Sequence, residues 1–237
     1  MAIFKKLLIK ADVVVENFRP DVKYKLGIDY ETLSTVNPAV ILASISGFGQ
    51  EGPYKNRPGF DQVAQGMSGL MSITGEPGGG PMRVGIPLAD LSAGLFAAQG
   101  ILLALYERMS SGKGQWVQTS LLQSQIFMLD FQAARYAMNG EIPRQAGNNH
   151  PTSIPTGVFK TKDGFMNIAA SGETIWKKLA VAFGHEEWIS DPLFSTALAR
   201  SENRDKLGKN INECTIHKTT SDWISLLNKH GAVSYTH

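Results

Sequence analysis

Cysteine is all but absent from this chain. Cys214 stands alone among 237 residues, which excludes an intrachain disulfide and any multi-cysteine metal site. It reads as a packed apolar residue rather than a nucleophile. Histidine is sparse: the five are scattered, none at metal-ligand spacing from another, and His150 reads as an ordinary loop residue. Excess charge is missing too. Lys and Arg number 23 against 21 Asp and Glu, and with no dense basic block there is no footprint for nucleic acid. No uninterrupted apolar run approaches the ~20 residues of a bilayer span, so no membrane partner is expected. No secretory leader pattern opens the chain, so the expected setting is the cytoplasm, or a matrix such as the mitochondrial one. Neither a Walker-type phosphate loop nor G-x-G-x-x-G occurs; Gly78-Gly79-Gly80 follows Glu76-Pro77 and reads as a turn. Repeats, low-complexity tracts and heptads are absent as well.

What is present is an ordinary globular composition, 43% hydrophobic and 19% charged, with length for one large domain or two small ones. Ile3 to Lys10 reads as an amphipathic helix and Asp12 to Glu16 as a strand. Its three consecutive valines suit a parallel sheet covered on both faces. Helices are expected near Val22–Leu26 and Tyr30–Val36, the first stopped by Gly27 and the second closed by Asn37-Pro38. Val40 to Ile45 is the next buried strand, with Ser46-Gly47-Phe48-Gly49 at its carboxyl end. Strand, helix and strand in this order indicate a parallel α/β sheet with right-handed crossovers. Ligands of such sheets bind outside the carboxyl ends of the strands, where both Asn17-Phe18-Arg19 and Ser46 to Gly49 fall. Asn17 offers an amide, Phe18 a stacking face, and Arg19 or Lys25 a charge for phosphate; the alternative is a turn with a solvated arginine.

Gly49 to Gly59 is turn-rich and reads as a long surface loop. Gln62 to Ser72 follows as a helix, with Asp61 placed to cap it. The stretch Gly85 to Gly112 is the centre of the chain. It reads as a helix packed on most sides, with Leu91, Leu95, Leu102 and Leu105 on one face. Asp90 sits at its start, either as an N-cap or as a carboxylate held in a dry pocket and used as a nucleophile. Gln115 to Thr119 is a further strand and Leu121 to Met138 a long helix. From Asn139 the character changes, and a boundary is placed near residue 140, giving domains 1–140 and 141–237. The second contains a hairpin, Val158–Lys162 with Phe165–Ala169 around Lys162-Asp163-Gly164, then helices at Glu173–Phe183, Glu186–Ile189, around Ser195–Gly208, and Ser221–His230 with Asp222 as cap. The start, which reads like mid-array, and GAVSYTH, which trails off without an element, suggest a chain truncated at both ends.

Four segments in order, ADVVVENFRP, SGFGQEGPYKNRPGFDQVAQGMSGLMSITG, GIPLADLSAGLFAAQGILLALYERMSSGKGQWV and FKTKDGFMNIAA, resemble the family III CoA-transferases, the CaiB/BaiF superfamily. The order is most similar to members that move CoA between succinyl-CoA and other dicarboxylates such as glutarate. The resemblance implies an α/β fold: a Rossmann-like large domain, a smaller α+β domain, and a homodimer of interlocked chains, here incomplete. It implies Asp90 as the catalytic carboxylate. It places CoA against Asn17, Phe18, Arg19, Lys25 and the segment with Arg57, Phe60 and Asp61. CoA and acyl-CoA are then substrates, with a small carboxylate as the other partner, and no permanently bound cofactor or metal is implied. Family racemases carry His-Asp where this chain has Phe60-Asp61, which disfavours epimerisation. Formyl and oxalyl members carry a glycine run near residue 150; here Asn148 to Ser153 favours a bulkier acyl group. The alternatives are an acyl-CoA racemase of the same family, or a fragment that only binds CoA or assembles with a complementary chain.

Overall fold

The computed structural model describes residues 2–170 and 172–236, with side chains for residues 3–170 and 172–232. The chain divides into two compact units, residues 1–74 with 79–143, and residues 75–78 with 144–237.

The first unit runs α1 (Ala2–Leu8), β1 (Val13–Glu16), α2 (Pro20–Leu26), α3 (Tyr30–Val36), β2 (Ile41–Ser46), α4 (Asp61–Met67), α5 (Leu70–Ile73), α6 (Leu88–Ser111), β3 (Trp116–Ser120), α7 (Leu121–Phe127) and α8 (Phe131–Asn139). Its three strands pair in parallel in the order β1-β2-β3, Val13 beside Ile41 and Leu42 beside Trp116. Pro20 opens α2, where its missing N–H costs nothing, and Gly27 closes it at φ 64°. Asp29 caps α3 by accepting from the Thr32 amide at 2.9 Å.

Only the middle strand is covered on both faces. Val40 to Ala43 are fully buried, whereas Val15 of β1 is exposed; an edge strand with valine on both faces leaves one of them open. Two long helices expected from the sequence are each two helices. Gly69, at φ 93°, separates α4 from α5, and Asp130, at φ 49°, separates α7 from α8. No apolar periodicity marks these breaks, because backbone geometry and not side-chain polarity makes them.

The packing of α6 also differs from expectation. Its buried face is the small-residue stripe Ala89, Ala93, Ala97 and Ala104, and an added Cβ on Gly100 would come within 2.6 Å of Val117 Cγ1 on β3. The leucines point the other way: Leu95 is 71% exposed and Leu102 67%. Small side chains let the helix axis approach the sheet closely, so the sheet selects the alanine face. By length and composition alone α6 is apolar enough to span a bilayer. Asp90, Ser92 and Gln99 interrupt the run, so the sequence holds no unbroken apolar stretch of that length here. Arg108 anchors its far end to the Ala39 carbonyl at 2.8 Å and to Asp12 at 2.7 Å.

The second unit contains β4 (Thr156–Lys160), β5 (Phe165–Ala169), α9 (Glu173–Phe183), a 3-10 turn (Glu186–Ile189), α10 (Ala197–Glu202), α11 (Arg204–Thr215), α12 (Thr220–Lys229) and β6 (Val233–Thr236). The β4-β5 hairpin is joined antiparallel by β6, a strand where the sequence suggested none. The helix expected around Ser195–Gly208 is two, meeting at Asn203. Thr219, not Asp222, caps α12, accepting from the Asp222 amide at 3.2 Å. The core gathers Trp176, Trp188, Phe194, Leu207, Ile211 and Trp223. Cys214 is half-buried, and burial pushes its thiol above the ordinary value. His150 accepts the Ser153 amide at Nδ1 (2.9 Å), a loop-shaping role.

Candidate active site

The carboxyl ends of β1 and β2 open onto a cleft of about 410 Å3, lined by Asn17, Ile45, Ser46, Gly47, Gly59, Phe60, Asp90 and Leu121. Four of these residues lie at the ends of elements: Asn17 just past β1, Ser46 at the last position of β2, Phe60 at the N-cap of α4, Asp90 in the first turn of α6. Two loops meet backbone to backbone there. A Cβ on Gly47 would lie 2.5 Å from the Gly59 Cα, so neither position accepts a side chain without moving the wall.

Asp90 is not the cap of α6. The N-cap is Pro87, and Asp61 reaches across from α4 so that its Oδ1 accepts the Ala89 amide at 2.9 Å. Asp61 Oδ2 accepts from Gln65 Nε2 (2.8 Å) and Arg83 Nη2 (3.0 Å). Asp61 therefore does not cap its own helix, in which it is the first residue; both of its oxygens are engaged at the start of α6. Such charge-assisted bonds are worth about 1.5–3 kcal/mol each when buried. Gln65, fully buried, extends the clamp by accepting from the Val84 amide (3.0 Å) and donating to the Ile86 carbonyl (3.1 Å). The segment leading into α6 is thus held by α4.

The consequence is a free carboxylate. With the Ala89 amide satisfied by Asp61, the Asp90 side chain accepts no hydrogen bond and forms no ion pair among the described residues. Asp90 is itself exposed, so its carboxylate is not held in a dry pocket as the nucleophile reading from the sequence supposed. Desolvation raises its pKa above the ordinary carboxylate value, and the charge of Asp61 acts in the same direction. A carboxylate with its lone pairs unused, aimed into a cleft beside a helix start, is suited to attack an electrophilic carbonyl.

The other residues singled out in the sequence divide between those that line this cleft and those with partners of their own outside it. Asn17 and Phe60 line it with Asp90. Phe18 and Arg19 sit beside it, exposed on the loop after β1; Arg19 lies 3.7 Å from Asp21, and Lys25 on α2 pairs with the same carboxylate at 2.8 Å. Arg57 lies over the Tyr54 ring, 4.0 Å from its centroid, on the exposed loop leading to Gly59. Asp61 lies behind the cleft wall. Sequence reasoning missed Gln65 and Arg83, although an acid followed four residues later by a glutamine at a helix start is a readable sign of a paired side-chain contact.

A family model described as CoA-transferase family III matches residues 1–235. The chain belongs to that family. Among CoA-transferases similar to it, succinyl-CoA–D-citramalate CoA-transferase of Chloroflexus aurantiacus is 36% identical over 231 residues, 97% of this chain and 58% of the relative. Succinate–glutarate CoA-transferase of Agrobacterium fabrum is 38% identical over 224 residues, 94% of this chain and 56% of the relative. A CAIB/BAIF family protein from Brucella suis superposes with a TM-score of 0.84 at 36% identity, covering 98% of this chain and 62% of that one. A hypothetical protein from Mycobacterium tuberculosis does so at 0.87 and 28%, covering 99% and 63%. This family III chain therefore spans less than two thirds of the length of these relatives.

Proposed function

We propose that this chain carries the acylation site of a CoA-transferase that moves CoA from an acyl-CoA of the succinyl type to a second carboxylic or dicarboxylic acid, with Asp90 as the nucleophile. The observation that carries this reading is the unengaged Asp90 carboxylate in a cleft at the strand ends, left free because Asp61 occupies the neighbouring helix amide. The names of the similar proteins, which pair succinyl-CoA with citramalate or succinate with glutarate, support the substrate class.

The chemistry balances without metal or redox partner. An Asp90 oxygen attacks the thioester carbonyl, the C–S bond breaks, and CoA leaves as a thiolate with an acyl-aspartyl anhydride behind it. The thiolate then attacks the Asp90 carbonyl carbon and expels the donor carboxylate, giving an aspartyl-CoA thioester. The acceptor carboxylate attacks that thioester and releases the thiolate again. The thiolate finally takes the acceptor acyl group and restores Asp90. The acceptor half is the donor half run in reverse, so the overall exchange trades one thioester for another, which is why covalent relay suits it. Asn17, Phe18 and Phe60 are assigned to the CoA chain and base. Arg19, Lys25 and Arg57 are assigned to its phosphates, which displace Asp21 as the partner of Arg19 and Lys25. CoA is thus a substrate, not a resident cofactor. Among the described residues that line the cleft none is a histidine, and the position before Asp61 is Phe60, which disfavours proton abstraction next to the thioester by an imidazole. We further propose that the protein works as a homodimer.

Trapping tests the site. Incubated with succinyl-CoA and borohydride, the chain is expected to carry its modification on the peptide containing Asp90, and Asp90→Asn to carry none. CoA binding with no adduct at Asp90 contradicts the transferase reading and leaves a CoA-binding chain.

A further inference from the structure

Lys23 has no part in the chemistry above, yet it is completely buried on α2. Its Nζ lies 3.5 Å from Glu16 Oε1, donates to Gln50 Oε1, and sits 5.1 Å from the centroid of the Trp116 ring and 5.5 Å from that of Tyr24. Desolvation holds the ammonium below the ordinary lysine value, with the charge of Glu16 opposing that. Burying such a pair is costly, and an apolar residue of the same volume is commonly at least as stabilising. Stability alone therefore does not account for a lysine at this place.

The partners of Lys23 lead to two of the loops that line the cleft. Glu16, the last residue of β1, accepts the Phe18 amide at 2.8 Å through its second oxygen, which fixes the turn that follows Asn17. Gln50 donates to Ser46 Oγ at 3.2 Å, and the same hydroxyl accepts the Gly49 amide at 3.1 Å. A polar chain thus runs Phe18, Glu16, Lys23, Gln50, Ser46, joining the loop after β1 to the loop after β2. Asn17 on the first loop and Ser46 at the head of the second both line the Asp90 cleft.

We propose that Lys23 is a positioning residue: it locks the two loops that flank the Asp90 cleft to one spacing, and so sets affinity for CoA rather than the rate of acyl transfer. The inference rests on the CoA-transferase reading for its ligand, but the locking of the loops is measurable without it. Glu16→Gln/Lys23→Met removes both buried charges together while leaving an acceptor for the Phe18 amide. Gln50→Leu cuts the same chain at its other end with the charge pair intact, and serves if the double variant does not fold.

Three measurements on the full chain decide the matter. In the variants the melting temperature is expected to stay at or above that of the original protein for the charge-free pair. Amide exchange in segments 17–19 and 46–50 is expected to rise about tenfold, and CoA affinity by titration calorimetry to fall about tenfold. Where turnover is measured, KM for the acyl-CoA rises with kcat within about twofold, a split that a purely structural role does not produce. Exchange and CoA affinity both unchanged in a folded variant overturn the proposal. So does faster exchange with CoA affinity unchanged. A parent chain that binds no CoA refutes the CoA-transferase reading and with it the assigned role in affinity, while the exchange data still report whether Lys23 holds the loops.

Discussion

The carboxyl of Asp90 is raised above the ordinary value by desolvation first and by the charge of Asp61 second. For a carboxyl, a raised folded-state pKa favours the protonated form. The resulting stabilisation is fully present below the unfolded value of 3.8 and is lost as pH rises through the folded value. At neutral pH the ionised Asp90 is therefore a small burden on the fold, discounted by its access to water. As a nucleophile it works only ionised, so exchange between acyl-CoA and acid should climb with pH through a midpoint above the ordinary aspartate value. Asp61→Asn removes the second cause while Asn can still accept the Ala89 amide. The acidic limb of the rate profile should move to lower pH, and an unmoved limb contradicts the coupling. The sequence made Asp90 legible as an acid at the head of a helix, with cap and nucleophile as rival roles. The choice between them was not legible, because it depends on Asp61 reaching over from another helix 28 residues away in the chain. Lys23 was illegible for the same kind of reason: its partners come from a strand end, a loop and a second strand.

At the scale of elements, α6 is seated by its small residues. Gly100 faces Val117, a β-branched side chain with little freedom to move on a strand. Gly100→Ala would gain about 0.5–1 kcal/mol from helix propensity, but overpacking costs about 1–3 kcal/mol, and with the Cβ placed at 2.6 Å the clash should win. Gly100→Ala is expected to lower stability by about 1–2 kcal/mol, and Val117→Ala in the same chain to recover most of the loss. Denaturant midpoints for the full double-mutant cycle check this; additive effects mean the two residues do not meet. The periodicity of α6 was readable, and so were β2 and the β4-β5 hairpin, whose signals lie within one stretch of chain. Which face of α6 turns inward was not readable, since alanines and leucines repeat at similar spacing and only the approach to β3 separates them. The splits at Gly69 and Asp130 escaped because a positive φ leaves no trace in hydrophobic pattern.

At the scale of the molecule, the outward leucines of α6 form an apolar face in a chain shorter than its relatives. The proposed homodimer gives that face something to pack against. Sedimentation should then show a dimer that Leu95→Glu dissociates, and a chain that is monomeric over the micromolar range contradicts it. The account as a whole turns on whether the acyl group passes through Asp90. The most direct measurement supplies an acceptor acid labelled with oxygen-18 in its carboxylate, together with succinyl-CoA, and weighs the peptide containing Asp90 after a single turnover. Relay through the aspartyl anhydride leaves one acceptor oxygen on Asp90, a gain of about 2 Da; transfer that never acylates this carboxylate yields the new acyl-CoA with Asp90 unlabelled.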